Sequence, residues 1–132
     1  MIRSLDRHLS STFPPFLLSA RRAREFVAAG LRDSGVDEPV LVDRLSLVTS
    51  ELVTNAVVHA GTDVEVRVTI DPSDVWVEVV DRSPVLPYRS PPSPSGISGR
   101  GLDLVDALAD AWGVAEVEHG LGKTVWARAS RT

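Results

Sequence analysis

Three places in this sequence put polar or flexible residues where a purely structural chain would carry others. The first is Glu51, Asn55 and His59, spaced by four inside an otherwise apolar stretch. In a helix each step of four advances ~40° around the axis and ~6 Å along it. Measured from Val48, Asn55 and His59 fall within the apolar stripe, with Glu51 at its edge. A buried amide or carboxylate needs a partner or a wet cavity, so a cavity lined by this helix is one reading. The other is that the helix ends at the rim of a sheet, where polar groups are harmless. For His59 alone, a capping or satisfied core role is the plainer account. The second place is Asp81, which has the same parity as Val75, Val77 and Val79 and so ends an inward row of its strand. A carboxylate there can accept a hydrogen bond from a buried donor such as the exocyclic amine of a base, or it can simply initiate the turn before Ser83-Pro84. The third is Gly99-Arg100-Gly101-Leu102 at the start of a helical stretch. Glycines let a backbone approach a ligand, and helix-start amides favour phosphate, although glycines also end loops.

The elements that must position these residues follow from periodicity. Residues 3 to 13 read as a first strand ended by Pro14-Pro15. A helix follows from Phe16, with Leu17, Leu18, Ala20, Phe26, Val27 and Leu31 on a 3.6-residue period, a basic outer face that includes Arg21 and Arg22, and Gly35 closing it. A second helix runs from near Asp37 to about Ala60, with Pro39 in its first turn, the stripe Leu41, Leu45, Val48 and Leu52, and Gly61 as its stop. Strict alternation over residues 63 to 70 and again over 75 to 80, around the turn Asp71-Pro72-Ser73-Asp74, predicts a hairpin. Residues 82 to 98 carry five of the nine prolines (Pro84, Pro87, Pro91, Pro92 and Pro94) among serines, and read as a long functional or disordered loop before the Gly99-Arg100-Gly101 helix start. Together they look like a lid over a phosphate site. Strands near 112–118 and 123–129 flank Gly120-Leu121-Gly122. That last segment, continuing as Lys123-Thr124, is not a P-loop: the motif would need glycine at 117, which is Val117, and a helix where Val125-Trp126-Ala127 reads as strand.

The order β-α-α-β-β-loop-α-β-β, joined mostly by tight turns, predicts an α+β two-layer sandwich: a mixed, mostly antiparallel sheet with helices on one face. The 132 residues fit one domain over 1–132, 43% hydrophobic and 24% charged, enough for a core in a soluble chain. A net charge of -4 argues against a broad nucleic-acid surface. The absence of cysteine excludes a disulfide framework, a zinc-thiolate site and a thiol nucleophile. No apolar run approaches the ~20 residues of a membrane span, and Met1 to Arg7 is not followed by a signal-peptide core, so a cytoplasmic location is expected.

Taken together, the segments resemble the GHKL (Bergerat-fold) ATP-binding superfamily, most closely the anti-sigma-factor serine kinases and their small actinobacterial relatives. The motifs that carry the resemblance are Glu51-x-x-x-Asn55-x-x-x-His59, a strand ending in Asp81, Gly99-Arg100-Gly101-Leu102, and Gly122-Lys123-Thr124, in family order and over nearly the whole chain. The resemblance implies ATP and Mg2+ as cofactors, with Asn55 helping to hold magnesium and Glu51 acting as the general base toward an attacking hydroxyl. It implies that His59 lies near the phosphates, that Asp81 binds the adenine amine, and that Gly99, Arg100, Gly101 and Leu102 belong to the lid and phosphate site. Lys123 joins the binding set, and Thr124 supports the adenine site directly or through water.

The resemblance further implies a protein-serine kinase that phosphorylates an anti-sigma-factor antagonist of the STAS type and controls a sigma factor by partner switching, with possible homodimerisation near the N-terminus. Two departures stand out. Ser83 replaces the family's glycine two residues after the adenine Asp, and the lid is rich in proline. They keep open an alternative: a nucleotide-binding partner-switch module with little or no kinase activity. No separate helix pair carrying a phosphoacceptor histidine is present, so the chain does not read as a complete sensor histidine kinase. An ATPase piece of a larger mismatch-repair or topoisomerase machine is disfavoured by the length.

Overall fold

The computed structural model describes residues 6–83, 100–116 and 122–132. Of the lid expected at 82–98, residues 84–98 lie outside the described residues, as does Gly99. So do the side chains of Arg100 and Gly101, although both positions sit in a helix. Eight elements follow one another: β1 (Arg7–Phe13), α1 (Leu18–Asp33), α2 (Pro39–Ala60), β2 (Val64–Ile70), β3 (Asp74–Asp81), α3 (Arg100–Leu108), β4 (Ala111–Glu116) and β5 (Lys123–Ser130).

The strands form one sheet in the order β1-β2-β3-β5-β4. Every described pairing is antiparallel, so the sheet expected as mixed and mostly antiparallel has no parallel pair among these strands. The reason is visible at the hairpin. Asp71 accepts backbone N–H bonds from Ser73 at 2.8 Å and from Asp74 at 2.7 Å, which closes a tight turn and returns β3 directly beside β2.

Alternation sorts the residues of the sheet into two faces. Val64, Val66, Val68 and Ile70 on β2, Val75, Val77 and Val79 on β3, and Val125, Ala127 and Ala129 on β5 are all buried. Each fully buried valine contributes about 1.5–3 kcal/mol by leaving water. The helices cover this face: α1 packs on β1 and β2, α2 on β3 and β5, and α3 against α2. The α2 stripe expected from spacing, Leu41, Leu45, Val48 and Leu52, is buried throughout. Its buried hydroxyls are satisfied locally, Ser46 by the Val42 carbonyl and Thr49 by the Leu45 carbonyl, both at 2.7 Å. Gly61 ends α2 in the left-handed conformation, φ 67°, as a helix-stopping glycine should.

The start of α1 departs from its expected stripe. Leu17 and Leu18 are exposed, and the buried row begins at Ser19 and Ala20 and continues through Ala23, Val27 and Leu31. Ser19 can take the inward position because its hydroxyl donates to the Pro14 carbonyl at 2.7 Å, which removes the cost of burying it. The C-terminal end of α3 is tied to α2 by Arg44, whose Nε donates to the Leu108 carbonyl at 3.0 Å. Leu102 and Val105 anchor that helix in the core. Among the described residues no helix is long and apolar enough to cross a membrane.

Candidate functional site

At one end of the inner face the valine rows give way to charge. Asp81 is the last residue of β3, and Lys123, the first of β5, is its register partner. Both are nearly sealed from solvent, 1% and 3% exposed, and they are the only buried charged residues among those described. The Lys123 ammonium donates to Asp81 Oδ1 at 3.0 Å and lies 2.9 Å from Oδ2. The Ser83 N–H also donates to Oδ1, at 2.9 Å. Asp81 Oδ2 is therefore in close ionic contact with the ammonium, yet it accepts no hydrogen bond of good direction. It is a buried acceptor with capacity left, the kind of group that marks a ligand position.

Gly122 makes this arrangement possible. Its φ of 136° disfavours a side chain, and a Cβ there would run into the Asp81 carbonyl oxygen. The glycine lets β5 begin directly against the end of β3, which delivers Lys123 to the carboxylate.

Above this pair runs α2. A cavity of about 10 Å³, room for roughly one water, is lined by Leu52, Asn55, Ala56, His59, Asp81, Lys123 and Val125. Residues from α2, β3 and β5 thus converge on one point. Asn55 and His59 face it, as the inward reading of the four-residue spacing requires. Asn55 is half-buried, and His59, though largely exposed, forms part of the wall. Glu51 is half-buried one turn before Asn55 and does not line the cavity itself. Leu102 is buried in the core through α3. Among the described residues no cluster of three or more His, Asp or Glu could hold a metal ion by itself.

Thr124 corrects an expectation. It pairs with Val80 and with Ala115 on the opposite face of the sheet from Asp81. The inward place beside the carboxylate belongs to Lys123, because alternation along β5 puts 123, 125, 127 and 129 on the inner face. The parity of Lys123 with Val125, Ala127 and Ala129 was the available signal, but motif order alone does not read parity. The apolar walls, Leu52, Ala56 and Val125, were not singled out as site residues. Leu52 was legible only as part of the core stripe. Ser83, read only as a departure, is 8% exposed and supplies a hydrogen bond that orients Asp81.

Comparison with known proteins agrees with this architecture. The chain is similar to the RsbW and RsbU domain structure of Rv1364c from Mycobacterium tuberculosis, with a TM-score of 0.70 at 21% identity. That alignment covers 96% of this chain and 33% of the solved one, so the present chain spans about a third of it and the likeness is one of fold. An uncharacterized protein of Streptomyces coelicolor, SCO4941, is 41% identical over 73 residues, which cover 51% of this chain and 69% of that protein. The profile of the histidine kinase-like ATPase domain matches residues 13–129. With the site residues carried on the elements just described, the chain belongs to the histidine kinase-like ATPase domain family.

Proposed function

We propose that this chain binds ATP with Mg2+ and transfers the γ-phosphoryl group to a serine of a small antagonist protein, acting as an anti-sigma-factor kinase that controls a sigma factor by partner switching. The observation that carries this reading is the convergence of Asn55, His59, Asp81 and Lys123 on one cavity, with Asp81 Oδ2 left as a buried acceptor. Such an acceptor suits the amine edge of a base. Magnesium takes oxygen ligands and is commonly held by one or two protein groups plus substrate phosphates. With no self-sufficient metal cluster among the described residues, the amide oxygen of Asn55 fits that part, the remaining ligands coming from the nucleotide and water.

In this reading Glu51 takes the proton of the attacking serine hydroxyl as its oxygen bonds to the γ-phosphorus and the bond to the β-phosphate oxygen breaks. Positioning and charge neutralisation account for most of such a transfer. His59 stands beside the phosphates. Residues 82–98 serve as the lid of a single domain over 1–132, and Gly99, Arg100 and Gly101 contact the phosphates. Thr124 is left out of the adenine site. A cytoplasmic location, a STAS-type antagonist and a homodimer complete the proposal.

One observation favours the second reading, a nucleotide-binding partner-switch module with little or no kinase activity. Asp81 is already engaged by Lys123, and Ser83 occupies the space beside it. Titration calorimetry with ATP and Mg2+ separates the outcomes. Wild-type binding that is lost in Asn55→Ala and in Asp81→Asn supports the site. Glu51→Ala should keep that binding and lower phosphoryl transfer to an antagonist by about 10²–10⁴-fold. Binding with no transfer to any antagonist selects the module, and no heat with any adenine nucleotide removes both readings.

A further inference from the structure

Among the described residues, polar groups on the inner face are few. The buried hydroxyls of Ser19, Ser46 and Thr49 are each satisfied by a backbone carbonyl nearby. Asp81 and Lys123 differ, because they are charged, face one another in register, and border a small cavity that also reaches Asn55 and His59. A carboxylate alone at the bottom of a pocket can only accept hydrogen bonds. It welcomes an amine edge and repels a carbonyl. An ammonium 2.9 Å from that carboxylate changes the code of the site, since the wall now presents an acceptor and a donor side by side.

We propose that Lys123 is the specificity-determining residue for the base, and that with Asp81 it admits 6-oxo purines, as in guanine nucleotides, alongside 6-amino purines. The inference rests on the nucleotide-site reading given above. The edge of adenine offers a donor at the 6-amino group next to an acceptor at N1. The edge of guanine or hypoxanthine offers an acceptor at O6 next to a donor at N1. Each is one donor beside one acceptor, and the Asp81–Lys123 wall complements either. Asp81 Oδ2 takes the amine of one base or the N1–H of the other, while Lys123 donates to N1 or to O6. The water-sized cavity requires its walls to part before a ring enters. Lys123 can move its head group on a flexible four-carbon stem, whereas Asp81 is fixed on the strand by the Ser83 N–H. A threonine in place of Lys123 removes the ammonium, leaves the carboxylate to dominate the wall, and restores a preference for the amine edge.

The test is calorimetric titration of the purified chain with the Mg2+ complexes of ATP, GTP and ITP, the last carrying the 6-oxo group without the 2-amino group. In the wild type, GTP and ITP should bind within about tenfold of ATP, because each base finds both of its edge partners. In Lys123→Thr the two 6-oxo nucleotides should weaken by at least about tenfold more than ATP does, because ATP loses only the donor to N1 whereas their O6 then faces a carboxylate with no donor beside it. Lys123→Arg, which keeps a cation opposite Asp81, should retain 6-oxo binding. Circular dichroism confirms that the variants are folded, and the wild-type ratio needs no variant. A wild type that binds ATP but takes GTP and ITP more than about a hundredfold more weakly overturns the inference alone. So does a Lys123→Thr protein with an unchanged ratio. Absence of binding by all three nucleotides overturns the nucleotide site and this inference with it.

Discussion

Asp74 and Asp81 begin and end the same strand, and each pairs with a cation on β5, but the two pairs live in different physical worlds. Asp74 meets Arg128 at 3.1 Å with side chains 24% and 32% exposed, whereas Asp81 meets Lys123 at 2.9 Å with 1% and 3%. Their positions differ by an odd number, so alternation sends them to opposite faces. The outer face around Asp74 is wet and forgiving. Trp76 and Trp126 tilt against each other with centroids 5.6 Å apart, and the Arg128 guanidinium lies 5.8 Å from the Trp76 ring. Nearby, the hydrogen bond that Arg67 donates to the Glu65 carboxylate at 3.0 Å raises the Arg67 guanidinium above its ordinary range. On the inner face a charge must be desolvated, and it persists only if held by an opposite charge or turned to use. The same residue type thus decorates one face and marks a site on the other.

Breaking the buried pair should have the largest effect. Lys123→Ala strands a carboxylate in the interior and should cost about 3–5 kcal/mol in chemical denaturation. In Asp81→Asn/Lys123→Met no net charge is left buried, so the double variant should recover most of that loss. Equal destabilisation of the single and double variants would mean that packing by the lysine stem, not charge compensation, holds this corner. Asp74→Ala, the matching change on the wet face, should cost about 0–1 kcal/mol, with the difference shrinking in high salt. A cost equal to that of Lys123→Ala would erase the contrast between the faces. Thr124→Ala should do least, within about 0.5 kcal/mol of wild type and with nucleotide affinity unchanged. A loss of affinity there would return Thr124 to the base pocket and contradict the facing set by the register.

Much of this is legible in the sequence because it depends on local periodicity. The stripe Leu41, Leu45, Val48 and Leu52 needs only a 3.6-residue repeat, and β2 and β3 need only alternation around a turn that Asp71 closes with its own side chain. The spacing of Asn55 and His59 already points them inward, although it does not decide between a cavity and the rim of the sheet. The start of α1 departs from the periodic reading at Leu17 and Leu18 because a period does not reveal where a helix first meets the sheet. That is set by the turn over 14–17, where the Phe16 N–H donates to the Pro14 carbonyl, and by the bond from Ser19 to Pro14.

Residue type and local pattern are enough to read the elements, their order, and the groups that could serve a nucleotide. Spacing along one element fixes which side chains share a face, and that information is local. The fold sets Lys123 rather than Thr124 beside Asp81, because the choice depends on the register of two strands separated by more than forty residues and on a glycine that lets their ends touch. It decided as well that α2 crosses over β3 and β5, so that Asn55 and His59 meet that pair at one cavity. Pairing between distant strands is chosen by the burial of whole faces at once, and no local pattern carries that sum.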